Sequence, residues 1–128
     1  MDLVSNLPAR IHGILDEGAK GDASRIAFAD EHGVVWCYRR LIGTVELAAS
    51  EMSLLGIRPG DRVMIVCENS IAAIVLLYAS SRLDAWAVII NARLSQHELD
   101  LIERDCRPRR VFYTHAISSD ADAHACRR

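Results

Sequence analysis

Between residues 63 and 114, short apolar runs alternate with longer amphipathic stretches, and the connections are only a few residues long. Val63 to Cys67 is continuously apolar, which suits a strand covered on both faces. Ser70 to Leu83 has the length of a helix, with Asn69 placed to cap it. Ala85 to Ile90 reads as a second buried strand. Ser95-Gln96-His97-Glu98 is an S-x-x-E capping box, and it opens a helix carrying Leu99, Ile102 and Cys106. Arg107-Pro108 stops that helix, and Val111 to Thr114 forms a third strand. Strand–helix–strand–helix–strand on short loops predicts parallel pairing with right-handed crossovers, because a tight hairpin is replaced each time by a helix.

Upstream, the pattern differs. Leu3, Leu7, Ile11, Ile14 and Leu15 recur at helical spacing; Pro8 suits a first turn, and Gly18 and Gly21 end the run. Arg25 to Asp30 and Val34 to Tyr38 read as two strands of a hairpin around Glu31-His32-Gly33. Tyr38, Leu41, Ile42, Val45, Ala48, Ala49, Met52 and Leu55 then mark one face of a long helix, which Gly56 and Pro59 terminate. After Thr114, Ile117 is the only large aliphatic residue, so residues 115–128 read as a surface segment or the start of a helix. Three segments result: 1–24 helical, 25–114 α/β, and 115–128.

The charge balance excludes one broad class. Fifteen Lys+Arg against 17 Asp+Glu leave a net charge of -2, with no basic excess for nucleic acid. No basic segment followed by an apolar core opens the chain, as a signal peptide would require. The longest uncharged run, residues 69–81, is too short to span a bilayer. Cys37, Cys67, Cys106 and Cys126 show no C-x-x-C spacing, and without a secretory signal a cytoplasmic location with free thiols is expected.

In an open α/β sheet, ligands bind beyond the carboxyl ends of the strands. Those ends are Glu68-Asn69-Ser70, Asn91-Ala92-Arg93 and Thr114-His115. Each residue alone fits turn and capping chemistry. Arg93 stands out, because a guanidinium at this edge can hold a phosphate through two N–H groups. His115, Asp120, Asp122, His124 and Cys126 match no zinc spacing, and no metal is expected. Arg39-Arg40 and Arg107 with Arg109-Arg110 read as solvated faces.

Several segments together resemble the opening of AMP-dependent, adenylate-forming acyl-CoA synthetases. They are Arg25-Ile26-Ala27-Phe28 leading to Trp36-Cys37-Tyr38-Arg39-Arg40-Leu41, then Leu55-Gly56-Ile57-Arg58-Pro59-Gly60-Asp61-Arg62-Val63, then Glu68-Asn69-Ser70. Ile90-Asn91-Ala92-Arg93-Leu94-Ser95 with Glu98-Leu99 resembles the family's N-P-R-L-[TS]-x-x-E-L segment. The resemblance covers residues 25–114. It implies an α/β fold that is part of the N-terminal domain of the adenylate-forming enzymes. It implies ATP, Mg and CoA as cofactors of a whole enzyme that activates a carboxylate as its adenylate and passes the acyl group to CoA. By the same resemblance Arg93 lies near the nucleotide part of CoA.

The departures are specific. Cys37 and Arg40 replace the family's capping pair on the long helix, at a cost of about 1 kcal/mol. Asn91-Ala92-Arg93 replaces Asn-Pro-Arg, and Leu83-Asp84-Ala85-Trp86 stands where a glycine-containing turn is usual. No glycine-rich, lysine-bearing ATP loop follows Tyr113-Thr114, and Lys20, the one lysine, lies outside the matching segment. The expectation is therefore an N-terminal fragment of an acid–CoA ligase, inactive alone, with no catalytic residue of its own and no tightly held cofactor. Its partner would be the remainder of the ligase, with self-association through exposed apolar surface. Two other readings stay open: a stand-alone α/β module binding a small ligand, and an interaction module without one.

Overall fold

The computed structural model describes residues 6–30 and 32–128. Leu3 of the apolar repeat and Glu31 of the hairpin turn lie outside the described residues. The order of elements is α1 (Gly13–Ala19), β1 (Ile26–Ala29), β2 (Val35–Cys37), α2 (Tyr38–Leu54), β3 (Arg62–Cys67), α3 (Ile71–Arg82), β4 (Trp86–Asn91), α4 (Gln96–Cys106), β5 (Arg110–Tyr113) and α5 (Ser119–Ala125).

Three strands form a parallel sheet in the order β4-β3-β5. β3 is central because its run has no polar side chain from Val63 to Cys67, and all five of those residues are buried. Alternation divides them between two layers. Val63, Ile65 and Cys67 pack with Leu41, Val45, Met52 and Ala79 of α2 and α3. Met64 and Val66 pack with Ile90, Leu99 and Ala121 on the side of α4 and α5. The sheet is thus sandwiched between helices, as the parallel reading requires.

α2 buries Leu41, Val45, Ala49 and Met52 at three- and four-residue spacing. Leu55 falls just past its end and is half-exposed. Cys37 gives its N-terminus no side-chain cap. Backbone carbonyls take that role instead: Tyr38 N–H donates to Arg25 O at 3.1 Å and Arg39 N–H to Ala23 O at 2.9 Å. β1 and β2 pair antiparallel, with Gly33 at φ 77° between them.

Three expectations need correction. The first helix is confined to Gly13–Ala19, and among the described residues of its apolar repeat only Leu15 is buried; Leu7, Ile11 and Ile14 are exposed. Pro8 lies ahead of the helix rather than in its first turn. The second concerns β4. It is an edge strand with Trp86 70% and Ile89 50% exposed, because only β3 pairs with it. Third, Ser70 rather than Asn69 caps α3: its hydroxyl accepts from Ala73 N–H at 3.2 Å. The departure at the turn before β4 is visible in the backbone: Asp84 takes the left-handed conformation that glycine would adopt more cheaply, at φ 53°. Asp84 O accepts from Gly60 N–H at 2.9 Å, and the Asp84 carboxylate pairs with Arg10.

No described helix is long and apolar enough to cross a membrane.

Candidate functional site

The carboxyl ends of β3, β4 and β5 meet at one edge of the sheet. Ala92 N–H donates to Cys67 O at 3.0 Å and Thr114 N–H to Val66 O at 3.1 Å, extending the ladder one residue past each outer strand. This register brings Glu68 beside the loop that carries Arg93. The Arg93 Nε and one terminal nitrogen both reach Glu68 Oε1 at 2.9 Å. The loop turns tightly: Asn91 Oδ1 accepts from Arg93 N–H at 3.0 Å, and Leu94 N–H donates to Asn91 O at 3.1 Å. Arg93 and Glu68 border an open cleft of about 610 Å³, also lined by Cys67, Asn69, Ile89 and Asn91. The Arg93 side chain is 73% exposed, so its remaining N–H groups face solvent across the cleft.

Glu68 is held on its other side as well. The Ser118 hydroxyl, and then Arg93, hold its carboxyl below the usual carboxylate range. Ser118 is itself buried and caps α5, accepting from Ala121 N–H at 3.1 Å. Thus Glu68 at the end of β3 links Arg93 to the start of α5.

The tail after Thr114 is therefore structured. Ser119–Ala125 is a short helix with Ala121 and His124 buried. His124 Nε2 lies 3.0 Å from Ala92 O and 3.1 Å from Leu94 O. Both partners only accept, so Nε2 carries the proton and donates to both. Nδ1 lies 3.1 Å from Gln96 Oε1, and Gln96 Nε2 donates to Asp100 Oδ1 at 2.7 Å.

The remaining sequence candidates are dispersed. His124 is turned into the protein, and His115 Nδ1 stands 4.0 Å from Asp122 Oδ1. Among the described residues no three His, Cys, Asp or Glu are grouped to hold a metal. Arg40 is not simply solvated: its guanidinium stacks over Trp36 at 3.8 Å. Arg110 Nε donates to Leu55 O at 3.1 Å. Lys20 pairs with Glu17 at 2.5 Å, at the end of α1.

Donors at this edge are the Arg93 guanidinium, the amides of Asn69 and Asn91 and the hydroxyls of Ser70 and Thr114, a set that fits a phosphate. The one carboxylate, Glu68, is engaged by Ser118 and Arg93. Sequence reading located Arg93 but missed its partners. Ser118 ahead of an Asp- and Ala-rich run was a legible cap signal. His124 had none, since it binds backbone carbonyls some 30 residues away.

Comparison with known proteins places this edge in context. Residues 15–128 match the family described as AMP-binding enzyme. Long-chain-fatty-acid–CoA ligase FadD13 of Mycobacterium tuberculosis is 34% identical over 76 residues, covering 59% of this chain and 15% of that protein. The 2-succinylbenzoate–CoA ligase of Oceanobacillus iheyensis is 32% identical over 88 residues, covering 67% of this chain and 18% of that protein. Among solved structures, a Mycobacterium tuberculosis fatty acyl CoA synthetase superposes with a TM-score of 0.79 at 29% identity, covering 89% of this chain and 23% of that one. The inhibitor-bound N-terminal domain of FACL13 from the same organism gives 0.78 at 28% identity, covering 89% of this chain and 29% of that one. The chain therefore spans less than a third of each.

Proposed function

Because the chain belongs to the AMP-binding enzyme family, we propose that it forms the N-terminal part of an ATP-dependent acid–CoA ligase. The whole enzyme would join a carboxylate to AMP, releasing pyrophosphate, and then pass the acyl group to the thiol of CoA. The observation that carries this reading is the superposition on a fatty acyl CoA synthetase over 89% of the chain.

In this reading Arg93 contacts a phosphate of CoA. The support is its position at the carboxyl edge of the sheet, the exposure of its guanidinium and the single carboxylate oxygen that tethers it. The tether orders the side chain without covering it. The adenylation step belongs to the remainder of the ligase, together with ATP and Mg; Lys20 at the end of α1 is already paired with Glu17. A cytoplasmic enzyme fits the free cysteines.

Two assays test the reading. ATP–pyrophosphate exchange should be undetectable with residues 1–128 alone and present in a polypeptide extended through a glycine-rich, lysine-bearing loop. Exchange by the 128-residue chain would refute it. Calorimetric titration should show Arg93→Ala weakening CoA binding about tenfold, the ordinary worth of a charge-assisted hydrogen bond, with no change for pantetheine. Equal losses for both ligands would remove Arg93 from the phosphate.

A further inference from the structure

We infer that His124, on the short helix α5, is a positioning residue for Arg93, fixing the direction in which its guanidinium is offered to an anionic ligand. The inference rests on the reading of Arg93 as a phosphate contact, and it adds a residue from a distant element to that site.

The geometry is a bracket. Ala92 and Leu94 flank Arg93, and the one His124 Nε2–H is shared between their carbonyls at 3.0 and 3.1 Å. Both carbonyls are thereby turned toward the buried imidazole. Ala92 is 1% exposed, and its N–H is held by Cys67 O, so the inward side of the loop is fixed. The residue between the two carbonyls then projects outward, into the cleft. A second hold acts on the guanidinium. Glu68 Oε1 takes two of its nitrogens, and Glu68 is in turn held by the hydroxyl of Ser118. Ser118 caps the same helix that carries His124 near its other end. One seven-residue helix thus restrains Arg93 through its backbone and through its side-chain partner.

The physical consequence is preorganisation. A free arginine has several rotatable bonds to order when it meets a phosphate, and prior ordering reduces that cost. The imidazole suits the task because its donor lies at the end of a rigid ring. It reaches two carbonyls that no backbone N–H satisfies among the described residues, and its other nitrogen lies 3.1 Å from Gln96 Oε1.

The test compares His124→Leu with His124→Gln in the 128-residue chain, followed by the NMR resonance of the Arg93 Nε–H. Leucine removes the donor; glutamine restores an N–H near the Nε2 position without the ring. The wild type and His124→Gln should show a resolved Arg93 Nε–H with slowed solvent exchange. In His124→Leu it should collapse into the envelope of mobile arginines while the amides of β3 keep their protection. Calorimetry with CoA should show about a tenfold rise in Kd for His124→Leu and recovery for His124→Gln. An unchanged Arg93 Nε–H in His124→Leu overturns the inference, and so does loss of β3 protection, which would make His124 a general stabiliser. A freed guanidinium in His124→Leu alongside CoA binding indifferent to Arg93→Ala supports the positioning role and sinks the phosphate reading instead.

Discussion

Removing the hydroxyl of Ser95 tests whether the loop after β4 is held from the helix side. Ser95 Oγ accepts from Glu98 N–H at 3.3 Å and donates to Glu98 Oε2 at 2.7 Å. Ser95 N–H donates to the same carboxylate oxygen at 2.8 Å, and that bond survives in Ser95→Ala. The substitution therefore deletes two of three bonds in the box. Loss of a serine cap typically costs about 1 kcal/mol, and the long, exposed Glu98 N–H contact argues against the upper end of that range. For a domain of this size the expected fall in Tm is about 3 to 5 °C. The pH dependence adds a second signature. The Ser95 hydroxyl, then the Ser95 N–H, holds the Glu98 carboxyl below its usual range. A depressed folded pKa contributes stability above the unfolded value and loses it as pH falls through the folded value. The gap between wild type and Ser95→Ala should therefore narrow on acidification. Urea unfolding followed by circular dichroism at a series of pH values measures both quantities. A Ser95→Ala–Glu98→Gln double-mutant cycle should return a favourable coupling between the two side chains. A difference below about 0.3 kcal/mol at neutral pH, or a gap independent of pH, would refute the reasoning.

Other consequences follow from burial and backbone geometry. Ile65→Ala removes a fully buried side chain from the central strand and should lower the unfolding free energy by about 2 to 5 kcal/mol; chemical denaturation showing less than 1 would mean the core collapses around the gap. Gly43 sits mid-helix on α2 with nothing near the position of an added Cβ, so Gly43→Ala should raise stability by about 0.5 to 1 kcal/mol in the same assay. Glu68→Gln should flatten the acid limb of the stability curve. The wild-type carboxyl is depressed by Ser118 and then Arg93, and its contribution disappears as pH falls through its folded value. An acid limb that superimposes on the wild type would count against that pair of contacts. Trp86 and Leu54 are 70% and 82% exposed; sedimentation should show concentration-dependent self-association that Trp86→Ser weakens, and a monodisperse monomer at all concentrations would exclude it.

Local signals sufficed where one face of an element meets a continuous layer. The apolar run of β3, the helical repeat of α2 and the capping box of α4 each announce their structure, because period and capping are properties of adjacent residues. Burial of an element on its far side is another matter. β4 has the same composition as a buried strand, yet Trp86 and Ile89 are open, since exposure depends on what lies beyond the strand. Leu7, Ile11 and Ile14 likewise keep a helical spacing without a surface to bury against. The choice of Ser70 over its neighbour Asn69 as the cap of α3 turned on where β3 ends, a matter of sheet register.

The candidate site divides along the same line. Sequence alone determined the parallel α/β unit, the carboxyl edge of its sheet and the arginine that stands there, because element type and loop position follow from local patterns. Only the tertiary structure decided what that arginine is tied to. Glu68 is 25 residues away, and His124 acts through backbone carbonyls, which every residue possesses and no sequence pattern marks. Contacts of that kind arise when chain closure brings distant segments together, so their partners become legible only in three dimensions.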